Sequence, residues 1–295
     1  MTTLHLLKLY PAVFAILVGI VGLMVGSFLN VVVYRLPVMM KRSWLQDARA
    51  ALQMEATPTE PFNLAMPNSR CPSCGHSIKP WENIPLISWL LLRRKCSGCR
   101  SPISARYPIV ELVTAGLSFG TAWHFGYGAE TCFALLMVWG GTALFLIDLD
   151  EMLLPDTIVI PGIWVGLAAS FLGLFSTLQD GFIGAVTGYL LLALPALIFQ
   201  AITGRQGMGN GDFKLLALFG AWLGWQALPL IILVSAVAAS IVGLIAGLGV
   251  KSRSEPFPFG PFIIAGGLLA LFFDHELYTL YGHVAGVNIG ALLFD

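Results

Sequence analysis

Charge is what this sequence has least of. Only 11% of its 295 residues are Asp, Glu, Lys or Arg, against 57% hydrophobic, and the mean hydropathy is +0.82. Soluble domains carry about 25% charged residues, so a soluble fold is excluded and a polytopic membrane protein remains. Lys and Arg are missing altogether from residues 107–204. The sequence also lacks an internal repeat, which weighs against a transporter built from duplicated halves. It has no glycine-rich dinucleotide-type loop, so the spacing reveals no nucleotide-like cofactor site. Cysteine is scarce, five in all, but four of the five are grouped.

The bases that are present are concentrated. From Arg35 to Arg106 there are 11 Lys/Arg against 4 acids, Asp47, Glu55, Glu60 and Glu82, an excess of 11 minus 4, or seven. The positive-inside rule puts this stretch in the cytoplasm, so the first helix enters from the other side. A basic loop without a nucleic-acid recognition motif points to anionic lipid head groups as its neighbours rather than nucleic acid.

Ala12 to Tyr34 is almost wholly apolar and long enough to cross a membrane at about 20 residues per span. It has no small-residue cleavage site and reads as an anchor. Further spans are expected at Tyr107 to Phe125, Thr131 to Ile147, Thr157 to Phe175, Phe182 to Ile202, Phe213 to Trp225, Pro229 to Val250 and from about Pro261. The fold class is therefore an all-α polytopic membrane protein of about eight transmembrane helices with a small cytoplasmic zinc-binding loop domain. Residues 1–36 form the first helix, 37–106 the four-cysteine domain and 107–295 the transmembrane part. Arg205 and Lys214, and further on Lys251 and Arg253, mark cytoplasmic turns, and both termini fall on the outer side.

Cys71-Pro72-Ser73-Cys74 and Cys96-Ser97-Gly98-Cys99 are separated by 21 residues. Two C-x-x-C knuckles at this spacing fit a tetrahedral structural zinc site with every position filled. Redox chemistry is the alternative, and a reducing cytoplasm argues against it. His76 reads as a spare polar group and Cys132 as a small core residue.

Two acidic features stand out in so apolar a chain. The first is the island Gly207-Met208-Gly209-Asn210-Gly211-Asp212-Phe213-Lys214, whose Asp212 is expected to cap a helix beginning at Phe213. The second is the cytoplasmic turn running from Asp148 through Asp150 and Glu151 to Asp156, with four acids and no base. Asp156 reads as a cap for the next helix, and Asp150 and Glu151 as solvated. Asp148 follows an unbroken apolar run, and an ionisable residue at membrane depth is a functional candidate by default. If Asp148 and Asp212 meet, they have the parts for aspartic peptidase chemistry. Buried carboxylates also build proton or cation relays, so a transporter remains the alternative. The cluster Gly26-Ser27-Phe28-Leu29-Asn30 reads first as helix packing.

Taken together, these motifs resemble the type IV prepilin peptidases. The likeness rests on Gly26 to Asn30 with Tyr34-Arg35-Leu36-Pro37, the two cysteine pairs, Trp81-Glu82-Asn83-Ile84-Pro85, and Arg106-Tyr107-Pro108 with Glu111. It continues in Asp148 to Asp156, Gly207 to Lys214 and Pro258-Phe259-Gly260-Pro261. The resemblance implies a bacterial cytoplasmic-membrane enzyme, its large loop and active site facing the cytoplasm. It would cut the leaders of prepilins and type II secretion pseudopilins and N-methylate the new amino terminus. It further implies Asp148 and Asp212 as catalytic residues, S-adenosylmethionine as methyl donor and a basic leader ending in Gly as the segment removed. Glu82, Arg94 and Lys95 are the candidates on the methyl-transfer side. One departure stands in that region: family members often carry Gly between the Arg and Lys where this chain reads Arg93-Arg94-Lys95.

Overall fold

The computed structural model describes residues 8–54, 61–248 and 257–285. Among these, every extended element is helical. In chain order they are α1 (Pro11–Ala51), a 3₁₀ turn (Pro80–Asn83), α2 (Ile87–Leu91), α3 (Arg106–Phe125), α4 (Ala129–Glu151), α5 (Asp156–Phe171), α6 (Leu178–Thr203), α7 (Asn210–Leu223), α8 (Leu228–Leu248) and α9 (Gly260–Ala285). Glu55, Glu60, Lys251 and Arg253, which contribute to the charge pattern, lie outside the described residues.

Among the described residues, four stretches are long and apolar enough to cross a membrane: Pro11–Ala51, Ala129–Glu151, Leu178–Thr203 and Trp225–Ile245. Asp156–Phe171 and Gly260–Phe273 are shorter apolar helices. α7, with 14 residues, is well under the roughly 20 that a crossing needs. Such short segments are compatible with a bilayer where neighbouring protein covers their ends.

The chain divides into two compact units, Met1–Thr131 and Cys132–Asp295. In the first, α1 packs along α3. Gly22 lies on Ser118 and Gly26 on Glu111 and Thr114, so the small residues serve close helix approach. α1 does not stop near Pro37, where the loop domain was expected to start; it continues to Ala51. The residues beyond Pro37 include Met, Lys, Arg, Leu, Gln and Ala, all good helix formers, which carry the helix past the one backbone bond that proline removes.

In the second unit α7 is the core element. Phe213, Leu215, Leu216, Phe219, Ala221 and Trp222 are all buried. α6 meets it so closely that a Cβ at Gly184 or Gly220 would strike the other helix's backbone. Trp222 reaches across to α5, donating its indole N–H to the Gly162 carbonyl at 2.8 Å. α9 joins α8 through Ser235, whose hydroxyl donates to the Phe262 carbonyl at 3.0 Å. Between helices in lipid, close packing and such bonds supply the cohesion that water exclusion supplies elsewhere.

Candidate active site and metal centre

Within the first unit the four cysteines converge. Their sulfurs all lie within 4.8 Å of one another, with Cys71 to Cys99 at 3.8 Å and Cys74 to Cys96 at 4.0 Å. A tetrahedron with zinc–sulfur bonds of about 2.3 Å has edges of about 3.8 Å, so the four sulfurs sit at zinc-site spacing without forming disulfides. Each pair is carried on the same turn. The Gly75 amide donates to the Cys71 carbonyl and the Arg100 amide to the Cys96 carbonyl; Cys71 N–H then bonds His76 O, and Cys96 N–H bonds Ser101 O. Backbone amides at Ser73 and Cys74 pull the Cys71 thiol down to about 6. The side-chain hydroxyl and then the backbone of Ser101 lower that of Cys99. Those two effects favour the thiolate that a metal binds, whereas the Cys74 thiol, despite the His76 backbone, is pushed up to about 12 by its neighbours, Cys99 foremost. The donor set fits a closed structural zinc site.

His76 is not part of that set. Its Nε2 lies 3.2 Å from Glu82 Oε2 and 3.0 Å from Ser97 Oγ, tying the first knuckle to the second. Glu82 also accepts the Lys79 amide at 2.9 Å. That amide, with the Ser97 side chain and His76, holds its carboxyl down to about 2. Glu82 thus acts as a brace between the 3₁₀ turn and the knuckles. Arg94 lies over the Trp89 ring at 5.2 Å, with Lys95 beside it bridged to Pro102. Arg94 also has φ +61, the left-handed region where a glycine costs nothing. The departure from the family pattern therefore puts a bulky residue where the backbone asks for Gly.

Among the unit's buried polar residues, Arg35 and Glu111 have partners far away in sequence. Arg35 donates to the carbonyls of Asn63 at 2.9 Å and Pro67 at 2.6 Å and lies over the Phe62 ring. Glu111 accepts the Leu86 amide at 2.8 Å. Both motif residues anchor the loop to the helix pair.

In the second unit the two aspartates come from different helices, Asp148 from the end of α4 and Asp212 from the start of α7. Asp148 sits in the last turn of α4, only 5% exposed, and its Oδ2 has no hydrogen-bond partner among the described residues. The Gly260 backbone amide acts on this carboxylate, and a methyl group at Gly260 would come within 2.6 Å of Oδ2. Asp212 is half-buried and feels the charge of Asp148. It is not the cap of its helix. α7 starts at Asn210 with Gly209 as N-cap, and Asp212 occupies the first turn, its amide bonded to the Gly209 carbonyl at 3.2 Å. The small residues Asn210 and Gly211 let the helix start three residues early, at Asn210 rather than Phe213.

Leu154 lies against the starts of both α7 and α9. A Cβ at Gly211 would meet Leu154 Cβ at 3.0 Å, and one at Gly260 would meet Leu154 Cδ1 at 3.3 Å. Asp156 is likewise not a cap; it is the first residue of α5 and makes no capping bond. Its two oxygens instead receive Lys214 Nζ at 2.9 and 2.8 Å. Sequence reading missed this pair, since its members are 58 residues apart and each has a local explanation. Asp150 and Glu151 are exposed. Cys132 is exposed on α4 rather than in a core, as a small apolar side chain facing lipid tolerates well.

Comparison with known proteins adds an independent line. Residues 20–125 match the bacterial peptidase A24 N-terminal domain, and residues 135–244 match the type IV leader peptidase family. The chain is 49% identical to a prepilin leader peptidase/N-methyltransferase of Pseudomonas aeruginosa, over 97% of this chain and 99% of that protein. It is 48% identical to one from Stutzerimonas stutzeri, over 95% and 98% of the two chains. A third, from Aeromonas hydrophila, is 47% identical over 92% and 94%. No solved structure matches the chain. With one profile on each of its two compact units and near-complete alignment to these relatives, the chain belongs to the type IV leader peptidase family.

Proposed function

We propose that this protein removes the leader peptide of type IV prepilins and type II secretion pseudopilins and N-methylates the exposed amino terminus. The names of its relatives support both activities and displace the transporter alternative. For the peptidase half, the observation that carries the reading is Asp148 Oδ2, buried and without a partner, within electrostatic reach of Asp212. A buried unpaired carboxylate oxygen costs about 1–3 kcal/mol or more, a cost that a catalytic water or substrate atom would offset.

In this mechanism one carboxylate of the pair activates a water for attack on the scissile carbonyl. The other, carrying the shared proton, protonates the departing amine. The two acids titrate as a pair. The Gly260 amide helps hold the Asp148 carboxylate in place, and Leu154 sets the spacing between the two segments. Zinc, held by Cys71, Cys74, Cys96 and Cys99, would supply folding energy to the loop and take no part in cleavage. S-adenosylmethionine would be the methyl donor, with the loop unit carrying Glu82, Arg94 and Lys95 as its platform. The chain crosses the bacterial cytoplasmic membrane about eight times, with 37–106 as the loop domain and 107–295 as the peptidase domain. The basic loop and the aspartates face the cytoplasm, as the seven excess positive charges indicate.

The test is prepilin cleavage by purified protein in detergent, followed by mass. Asp148→Asn and Asp212→Asn should each abolish cleavage, because an amide neither shares the proton nor activates water. Asp150→Asn and Glu151→Gln should retain turnover. An active Asp148→Asn protein would overturn the assignment.

A further inference from the structure

The Asp156–Lys214 pair has no adequate explanation as a stabilising contact. Both groups are substantially exposed, 54% and 31%, and surface pairs contribute little to stability. Lys214 also stands in the second turn of α7, near the positive end of its dipole, where a cation is disfavoured. Its position does make sense relative to the two acids. Lys214 is two residues past Asp212, and Asp156 is two residues past Leu154.

The segment between them is weakly determined by local structure. Residues 152–155 connect α4 to α5 as a non-helical linker, tied at one end by the Met152 amide on the Asp148 carbonyl at 2.9 Å and at the other by the Pro155 carbonyl, with Met152 in a left-handed conformation. This short connector is the sole covalent path from Asp148 to α5. The connector meets the Asp212 segment through Leu154 against Gly211, and the first residue of α5, Asp156, meets it through Lys214. The first contact is apolar and allows sliding. The second is a two-oxygen grip on one ammonium, which fixes register.

We propose that Lys214 and Asp156 are positioning residues that lock the start of α5 to the start of α7, thereby setting the separation of Asp148 and Asp212. This rests on the aspartate-pair reading, and it predicts a defect in the chemical step rather than in binding. A displacement of about 1 Å in such a pair costs on the order of 100-fold in rate. Lys214→Met and Asp156→Asn should each lower kcat on prepilin by roughly 10- to 100-fold with KM little changed. Lys214→Arg, which can also grip both oxygens, should retain most of kcat. The reversed pair Asp156→Lys/Lys214→Asp should recover a large part of what either single change loses.

A readout without activity accompanies these. Hydrogen exchange across residues 152–157 and 207–214 should quicken in Lys214→Met and return toward wild type in the reversed pair. Wild-type cleavage and its loss in Asp148→Asn are measured first, so a failure of the catalytic reading is told apart from a failure of the lock. Unchanged kcat in both single variants, a rise in KM in place of a fall in kcat, or a reversed pair no better than the singles would each overturn the proposal. Exchange rates indifferent to Lys214→Met would do the same even in a preparation that cleaves nothing.

Discussion

At the scale of single residues, the two cysteine knuckles are unequal in one respect. Gly75 closes the first turn at φ +72, and Arg100 closes the second at φ +61. A side chain in the left-handed region costs about 1–2 kcal/mol, a cost glycine does not carry. Arg100→Gly should therefore stabilise the loop unit by about 1 kcal/mol, and Arg94→Gly by a similar amount less the contact with Trp89. Denaturant unfolding followed by tryptophan fluorescence measures both; destabilisation by either would show that the side chain contributes more than its backbone costs. Glu82 offers a pH test. Its carboxyl is lowered from 4.5 to about 2, so the brace is fully in place above the ordinary carboxylate value and is lost as pH falls toward 2. Between pH 5 and 2 the difference in stability between wild type and Glu82→Gln should shrink. A constant difference would mean that the Lys79 and His76 contacts do not carry it.

At the scale of elements, sequence reading worked where chemistry is concentrated in a few adjacent residues. The grouping of the four cysteines was legible because a metal knuckle sets its two ligands with two residues between them, and the burial of Asp148 because it follows an unbroken apolar run. Element ends were less legible. α1 runs past Pro37 to Ala51, and α7 begins at Asn210 rather than Phe213, since proline and glycine are read as boundaries although neighbouring residues can carry a helix through them. Long-range partners were invisible. Neither the Arg35 contacts to Asn63 and Pro67 nor the Lys214 contact to Asp156 leaves any periodic trace. The meeting of α6 with α7 is of the same kind and makes its own prediction. Gly184→Leu would drive a side chain into the Gly220 backbone and force the two helices apart. Cleavage should fall sharply and thermal stability drop by several degrees, whereas Gly243→Leu on α8, with open space around it, should change neither.

At the scale of the whole molecule, the division into Met1–Thr131 and Cys132–Asp295 coincides with the two family profiles, so each unit can carry one activity. Methyl transfer needs a neutral amine held near a sulfonium, and nothing in that chemistry requires Asp148 or Asp212. Cleavage by an aspartate pair likewise needs no metal. Loss of zinc should unfold the loop around residues 71–101 and leave the second unit intact, because metal binding at such a site is folding energy for that segment. The full-length protein with Cys74→Ser and Cys99→Ser should therefore lose methylation while retaining measurable prepilin cleavage. Conversely, Asp148→Asn protein should fail on intact prepilin yet methylate pilin whose leader has already been removed. Glu82→Gln, which weakens the brace without touching a sulfur, should fall between these, lowering methylation before cleavage. Intact-mass measurement on pilin scores both reactions at once. If the cysteine variant loses both activities together while its second-unit helices remain folded by hydrogen exchange, the loop serves the peptidase directly and the two units do not divide the work.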